Sequence, residues 1–275
     1  MRWDRSHTSP DLEDRRAFGP ARGARLGGGN LFGIFALLSR FGWKGILIGL
    51  VVGGLLMFGG NLCAGGGGMD PQRSRSVTDT RDTAEDELVR FVGFVFDDVQ
   101  TFWQREVPGY DRARIVVFRG AVDSACGTTS SAVGPFYCPL DHKAYIDLGF
   151  YRELERRFGA PGDFAQAYVI AHELGHHLQN QAGVLGRTGT DSVDTELQAD
   201  CLAGAWAASA RKRQLLEMGD FEEALGAAAA IGDDTIQKKT QGYIQPETWT
   251  HGSSRQRVAA FRTGFEGGSA RACGL

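Results

Sequence analysis

From Thr83 onward, Leu88, Phe91, Val92, Val95, Phe96, Val99 and Trp103 recur at three- and four-residue intervals, which predicts a helix with one face on a core. RIVVFRG (114–120) and GPFYCPLDHKAYIDLGF (134–150) read instead as short strands, the second folding back on itself at LDHK. FYRELERRFG reads as a short helix. In DFAQAYVIAHELGHHLQN (163–180), Phe164, Ala167, Tyr168, Ala171, Leu174 and Leu178 lie on overlapping apolar faces, which predicts a largely buried helix with Asp163 as its N-cap. Gly175, inside that helix, costs about 1 kcal/mol relative to alanine, so a close neighbour is expected there. DTELQADCLAGAWAAS opens another apolar helix at 194, and Ser253 followed by Gln256 reads as the capping box of a later one. The pattern is that of an α+β domain over residues 83–275, mostly helical with a small β-sheet and without internal repeats.

The first quarter of the chain is different in kind. Glycine clusters in GARLGGGN and CAGGGGMD flank GILIGLVVGGLLMFGGNL, residues 45–62, in which no side chain is charged. Its 18 residues rise about 27 Å as a helix, close to the thickness of a bilayer's hydrocarbon layer, and predict one transmembrane helix. No AxA site follows for cleavage as a signal peptide, and the residues before Cys63 do not fit a lipoprotein signal. Arg2, Arg5, Arg15, Arg16, Arg22, Arg25, Arg40 and Lys44 precede the span, so the positive-inside bias places residues 1–44 in the cytoplasm as a basic, Gly-rich segment. The linker 63–82 and the domain 83–275 then lie outside. Gly45, Gly49 and Gly53 repeat at four-residue spacing, which would let two such helices approach as a homodimer.

Composition and cysteines agree with that placement. The formal net charge is -3 and no Lys/Arg block is long enough to track a phosphate backbone, so nucleic acid is not an expected partner. Cys126, Cys138, Cys201 and Cys273 follow the span and none sits at CxxC spacing, which argues for disulfides in an oxidising compartment. Of the three connectivities, Cys126 with Cys138 and Cys201 with Cys273 are favoured.

HELGHH carries the chemistry. Positions four apart stack on one side of a helix, so His172 and His176 point the same way while His177 turns about 140° from His172. Two neutral imidazoles suit Zn²⁺ and leave coordination positions open for water, and Glu173 lies where it can act as the base. A third protein ligand is needed. Glu196 and Asp200 share a face of the next apolar helix, which makes Glu196 the candidate ligand and Asp200 the acceptor for the outer N–H of a ligating histidine.

HELGHH, ELQADCLAGAWA, GDFEEAL, AIGDD and THGSSRQR, with GPFYCP and YIDL before them, resemble in order the bacterial neutral zinc metallopeptidase family of membrane-anchored, gluzincin-like proteins. The resemblance runs over nearly the whole chain. It implies a zincin-like metallopeptidase domain acting on protein or peptide substrates, with His172, His176 and Glu196 as zinc ligands and Glu173 as catalytic base. The THG at His251 is similar to the THP of related membrane endopeptidases of the CAAX-protease type, which implies a catalytic role for His251 at the oxyanion. Zincin architecture further implies that the strand AYIDL lines the cleft and binds extended peptide by its edge. A zinc-stabilised, non-catalytic scaffold of the cell envelope is the alternative, although a scaffold has no need of Glu173.

Overall fold

The computed structural model describes residues 1–17, 83–157, 159–185 and 192–275. The predicted span 45–62, its homodimer glycines and the linker 63–82 lie outside the described residues. No helix of the described residues is long and apolar enough to cross a membrane.

Helix α1, Thr83–Glu106, has the predicted stripe, with Phe91, Val92, Val95, Phe96, Val99 and Trp103 buried. It leads into a mixed four-stranded sheet of order β1-β2-β6-β5, in which β1 is Leu12–Asp14, β2 Arg114–Phe118, β5 Phe136–Cys138 and β6 Lys143–Asp147. The predicted hairpin is present, since β5 runs antiparallel to β6 with Tyr137 opposite Ala144, and His142 turns the chain at φ 58°. A separate two-stranded hairpin, β3 Ala121–Ser124 with β4 Gly127–Ser130, has no counterpart in the pattern reading.

Strand β6, which holds AYIDL, pairs along its whole length with β2, whereas β5 covers its other side only from Lys143 to Tyr145. Edge binding of a peptide is therefore closed to Ala144 and Tyr145, while Ile146 and Asp147 have no strand partner on that side among the described residues. The sheet's edges are β1 and β5.

The remaining helices are α2 Gly149–Arg156, α3 Asp163–Gln181, α4 Ser192–Lys212, α5 Asp220–Ala230, α6 Asp233–Gln241 and α7 Ser254–Gly267. Helix α3 runs through the core, packed against α1, α4, α5 and β5. Its N-cap is Gly162 at φ 111°; Asp163 is already helical, and Glu223 accepts from the N–H of Phe164 at 3.0 Å. The capping box of α7 is formed by Ser253 and Gln256 as predicted. Where α4 and α7 cross, a methyl on Gly204 would run into the carbonyl of Phe261, and one on Gly264 into that of Cys201, so both glycines are required for the approach. The two favoured disulfides, Cys126–Cys138 and Cys201–Cys273, are both present.

The N-terminal residues are the main departure from expectation. Strand β1 pairs in parallel with β2, Leu12 beside Ile115 and Asp14 beside Val117. Trp3 packs edge-on to Phe91 with ring centroids 5.5 Å apart, and Gly93 leaves room for Ser9 and Leu12 against α1. Arg16 reaches Asp86 at 2.8 Å, next to the start of α1. Residues 1–17 therefore belong to the same compact unit as residues 83–275. This corrects the placement of residues 1–17 across a membrane from the domain, because a bilayer cannot divide one hydrogen-bonded sheet.

Candidate metal centre

Helix α3 brings His172 and His176 to one side, with ring centroids 4.7 Å apart, and α4 lays Glu196 against them. One donor atom from each of the three lies within 4.8 Å of the other two. Nε2 of His172 is 3.1 Å from one oxygen of Glu196, and Nε2 of His176 is 3.3 Å from the other. The close approach of the two helices depends on Gly175, where a Cβ would sit 3.0 Å from the Cα of Ala199. This is the near neighbour that the mid-helix glycine predicted.

The outer nitrogen of each ring is held in turn. Asp200, fully buried, accepts from Nδ1–H of His172 at 2.9 Å. Gln179, equally buried, accepts from Nδ1–H of His176 at 2.8 Å and is itself fixed by donating to the Thr195 carbonyl and the Gln198 amide oxygen. With both Nδ1 protons committed, each ring presents the lone pair of Nε2, and both lone pairs face a carboxylate. Two imidazoles and one carboxylate, with outer-shell acceptors in place, are the donor chemistry that zinc takes in open sites. His172 is buried, whereas His176 and Glu196 are only partly so, which leaves an approach to the centre from one side.

The charges around the centre are strongly coupled. Burial opposes a proton on His172, but Asp200 and Glu196 outweigh it and raise its pKa to about 10. Burial likewise favours neutral carboxyls, yet the two histidines hold Glu196 far below the usual range, and Arg257 and His172 hold Asp200 at about 2. A cation bound between these groups would replace the proton on His172. Glu173 is buried, and burial raises its pKa against the opposing pull of His172, His176 and Arg257.

His177, the third histidine of the run, points elsewhere as its spacing predicts. It is fully buried, donates from Nε2 to the Asp111 carbonyl at 2.7 Å and accepts at Nδ1 from the Tyr137 hydroxyl at 2.9 Å, so it pins α3 to β5. His251 is not among the three converging groups. Its side chain is half exposed in the loop before α7, with Nδ1 3.2 Å from Asp233. Asp233 also takes the backbone N–H groups of Thr250, His251 and Gly252 on one oxygen, at 2.8, 2.7 and 3.1 Å. Gly252 packs against Val193 and Leu197, on the turn of α4 that bears Glu196, so the loop is fixed beside the centre.

Gln179, Tyr168, Asp233 and Arg257 escape the sequence reading. Tyr168 reads as a core residue in the apolar pattern, but its hydroxyl donates to Asp200. A buried arginine in SSRQR has no sequence signal beyond its place in a helix with an otherwise apolar inner face.

Two histidines and a glutamate on adjacent helices, each ring braced from behind, define a candidate transition-metal centre on an α+β scaffold. Over residues 1–275 the chain matches the family described as "putative neutral zinc metallopeptidase", and it belongs to that family. It is 39% identical over 297 aligned positions to uncharacterized protein YpfJ of Escherichia coli strain K12, spanning 99% of this chain and 98% of that protein. It is also 46% identical over 195 positions to uncharacterized proteins Mb2605 of Mycobacterium bovis and Rv2575 of Mycobacterium tuberculosis, spanning 64% of this chain and 67% of theirs. No solved structure matches it.

Proposed function

We propose that this protein is a zinc-dependent peptidase that hydrolyses peptide bonds of extracytoplasmic proteins or peptides, with His172, His176 and Glu196 holding the ion. The observation that carries the reading is the convergence of both Nε2 atoms on the two oxygens of Glu196 while Asp200 and Gln179 occupy the outer nitrogens. When bound, zinc supplies a Lewis acid and lowers the pKa of water to about 7. Glu173 takes a proton from the attacking water and returns it to the departing amine nitrogen, a role suited to a buried carboxyl whose pKa is raised toward the working pH. Asp233 holds His251 by Nδ1, leaving Nε2 to face the developing oxyanion. The disulfides support an oxidising compartment. In this reading the apolar run 45–62 keeps the protein at the membrane.

The test compares the full chain with Glu173→Gln against a diverse peptide library, with zinc content measured in both. Zinc bound by both at about one ion per chain, with cleavage lost about 10²- to 10⁴-fold in the variant, is expected. A native protein that binds zinc but cleaves nothing, or a variant that cleaves equally well, would count against a peptidase.

A further inference from the structure

Arg257 comes from α7, outside the histidine motif, and is 2% exposed. A guanidinium buried without partners costs several kcal/mol, so its surroundings should show what keeps it there. Nε donates to one oxygen of Asp200 at 2.8 Å and Nη2 to the other at 2.9 Å, a two-pronged grip on the carboxylate plane. Nη2 also donates to the Tyr168 hydroxyl at 3.2 Å, and Nη1 to the Ile231 carbonyl at 3.3 Å. The Asp200 oxygen gripped by Nη2 is the one that accepts from Nδ1–H of His172 and from Tyr168.

Two physical consequences follow. The paired bonds leave the carboxylate one orientation, and that orientation aims the His172 ring at Glu196. The guanidinium also shares the charge of the oxygen that faces His172, which moderates how strongly that oxygen polarises the ring. A lysine could supply the charge, but not two parallel bonds.

We propose that Arg257 is a positioning residue of the metal centre, setting the aim and the donor strength of His172 through its two-pronged hold on Asp200. This rests on the zinc reading above. The alternative is a buried ion pair that only props α7 against α4.

The test uses the full chain and four variants: Arg257→Met, Arg257→Lys, Asp200→Asn and the double variant Arg257→Met with Asp200→Asn. Zinc affinity is measured by competition with a chromophoric chelator, the visible spectrum is recorded after Co²⁺ substitution, and the zinc-free forms are melted. Arg257→Met is expected to bind zinc about 10- to 100-fold more weakly and to shift the Co²⁺ bands. Arg257→Lys should recover only part of the affinity. In the Asp200→Asn background, removing Arg257 should cost less than about threefold more, because the two act in series.

The proposal is overturned if Arg257→Met lowers only the melting temperature of the zinc-free form, with zinc affinity and Co²⁺ bands unchanged. It is also overturned if the arginine's loss costs as much in the Asp200→Asn background as in the parent. Should Arg257→Met fail to fold, Arg257→Lys decides: native zinc affinity in that variant refutes the proposal. A native chain that takes up no zinc refutes the reading beneath it and leaves a different signature, since then no variant differs from the parent.

Discussion

At the scale of single residues, the centre separates the groups that would touch metal from those that aim them. Glu196 faces both histidines, and its replacement by alanine removes one of three donors; zinc occupancy should then fall below detection at micromolar zinc, as elemental analysis of the purified variant would show. Gln179 does not touch the ion site, but it is the acceptor for His176. Gln179→Leu keeps the volume and removes the acceptor, so zinc affinity should drop about 10- to 100-fold while the fold persists. A chelator titration giving native affinity for that variant would remove Gln179 from the centre. The contrast between the two rings is of physical interest: His172 is backed by a carboxylate and His176 by an amide, so the two nitrogens are unequal donors. The four-residue periodicity of a helix made the histidine pair and the Glu196–Asp200 pair legible beforehand. Gln179, Asp233 and Arg257 were not legible, because contacts between side chains of different elements leave no spacing along the chain.

At the scale of elements, the site depends on helices that approach more closely than ordinary side chains allow. Gly264→Ala places a methyl on the Cys201 carbonyl, and the resulting separation of α4 from α7 should cost about 3 kcal/mol, visible as a lowered melting temperature. Cys201 lies next to Asp200, and its disulfide to Cys273 fastens the same helix to the C-terminal turn. Helix α7 is also held at its start by Asp234, which accepts from the N–H and the hydroxyl of Ser254, both at 2.7 Å. Burial works against that carboxylate, but the Ser254 bonds prevail and its pKa lies below the ordinary value of 3.8. In the unfolded chain Asp234 takes its proton first. Its stabilising contribution is therefore complete well above pH 3.8 and disappears as pH falls through that value toward the lower folded one. Melting temperatures between pH 6 and pH 3 should fall less steeply for Asp234→Asn than for the parent; equal slopes would show that the cap carries no such linkage. Helix faces are read correctly from the apolar pattern, whereas for AYIDL the pattern yields the strand and not its neighbours, because period-two alternation does not say which strands end up side by side.

At the scale of the whole molecule, residues 1–17 and 83–275 are one body, and the two sides of the intervening stretch meet where Arg16 bonds Glu85 and Asp86. Chain that leaves and returns at neighbouring surface points can often be shortened without penalty to the core. Joining residue 17 directly to residue 83 through a short Gly/Ser linker should give a folded protein with native zinc affinity. Removing residues 1–17 should not, since Trp3 and Leu12 would no longer cover α1 and β2 would lose its outer partner. Circular dichroism and zinc uptake of the two shortened forms distinguish these outcomes, and a well-folded protein lacking residues 1–17 would contradict the sheet described above. Strand β1 is invisible to pattern reading for a plain reason: three residues, one of them apolar, carry no periodicity, and the partner lies about a hundred positions away.

That distance also bears on how the protein comes into being. On the ribosome Leu12 emerges long before Ile115, so the first strand waits without a hydrogen-bonding mate while everything up to the second is synthesised. A parallel pairing of such wide separation is among the slowest steps a small domain can take. Completion of the sheet is thus a late event in biogenesis, and the opening residues must reach the same compartment as the bulk of the polypeptide before the fold is complete.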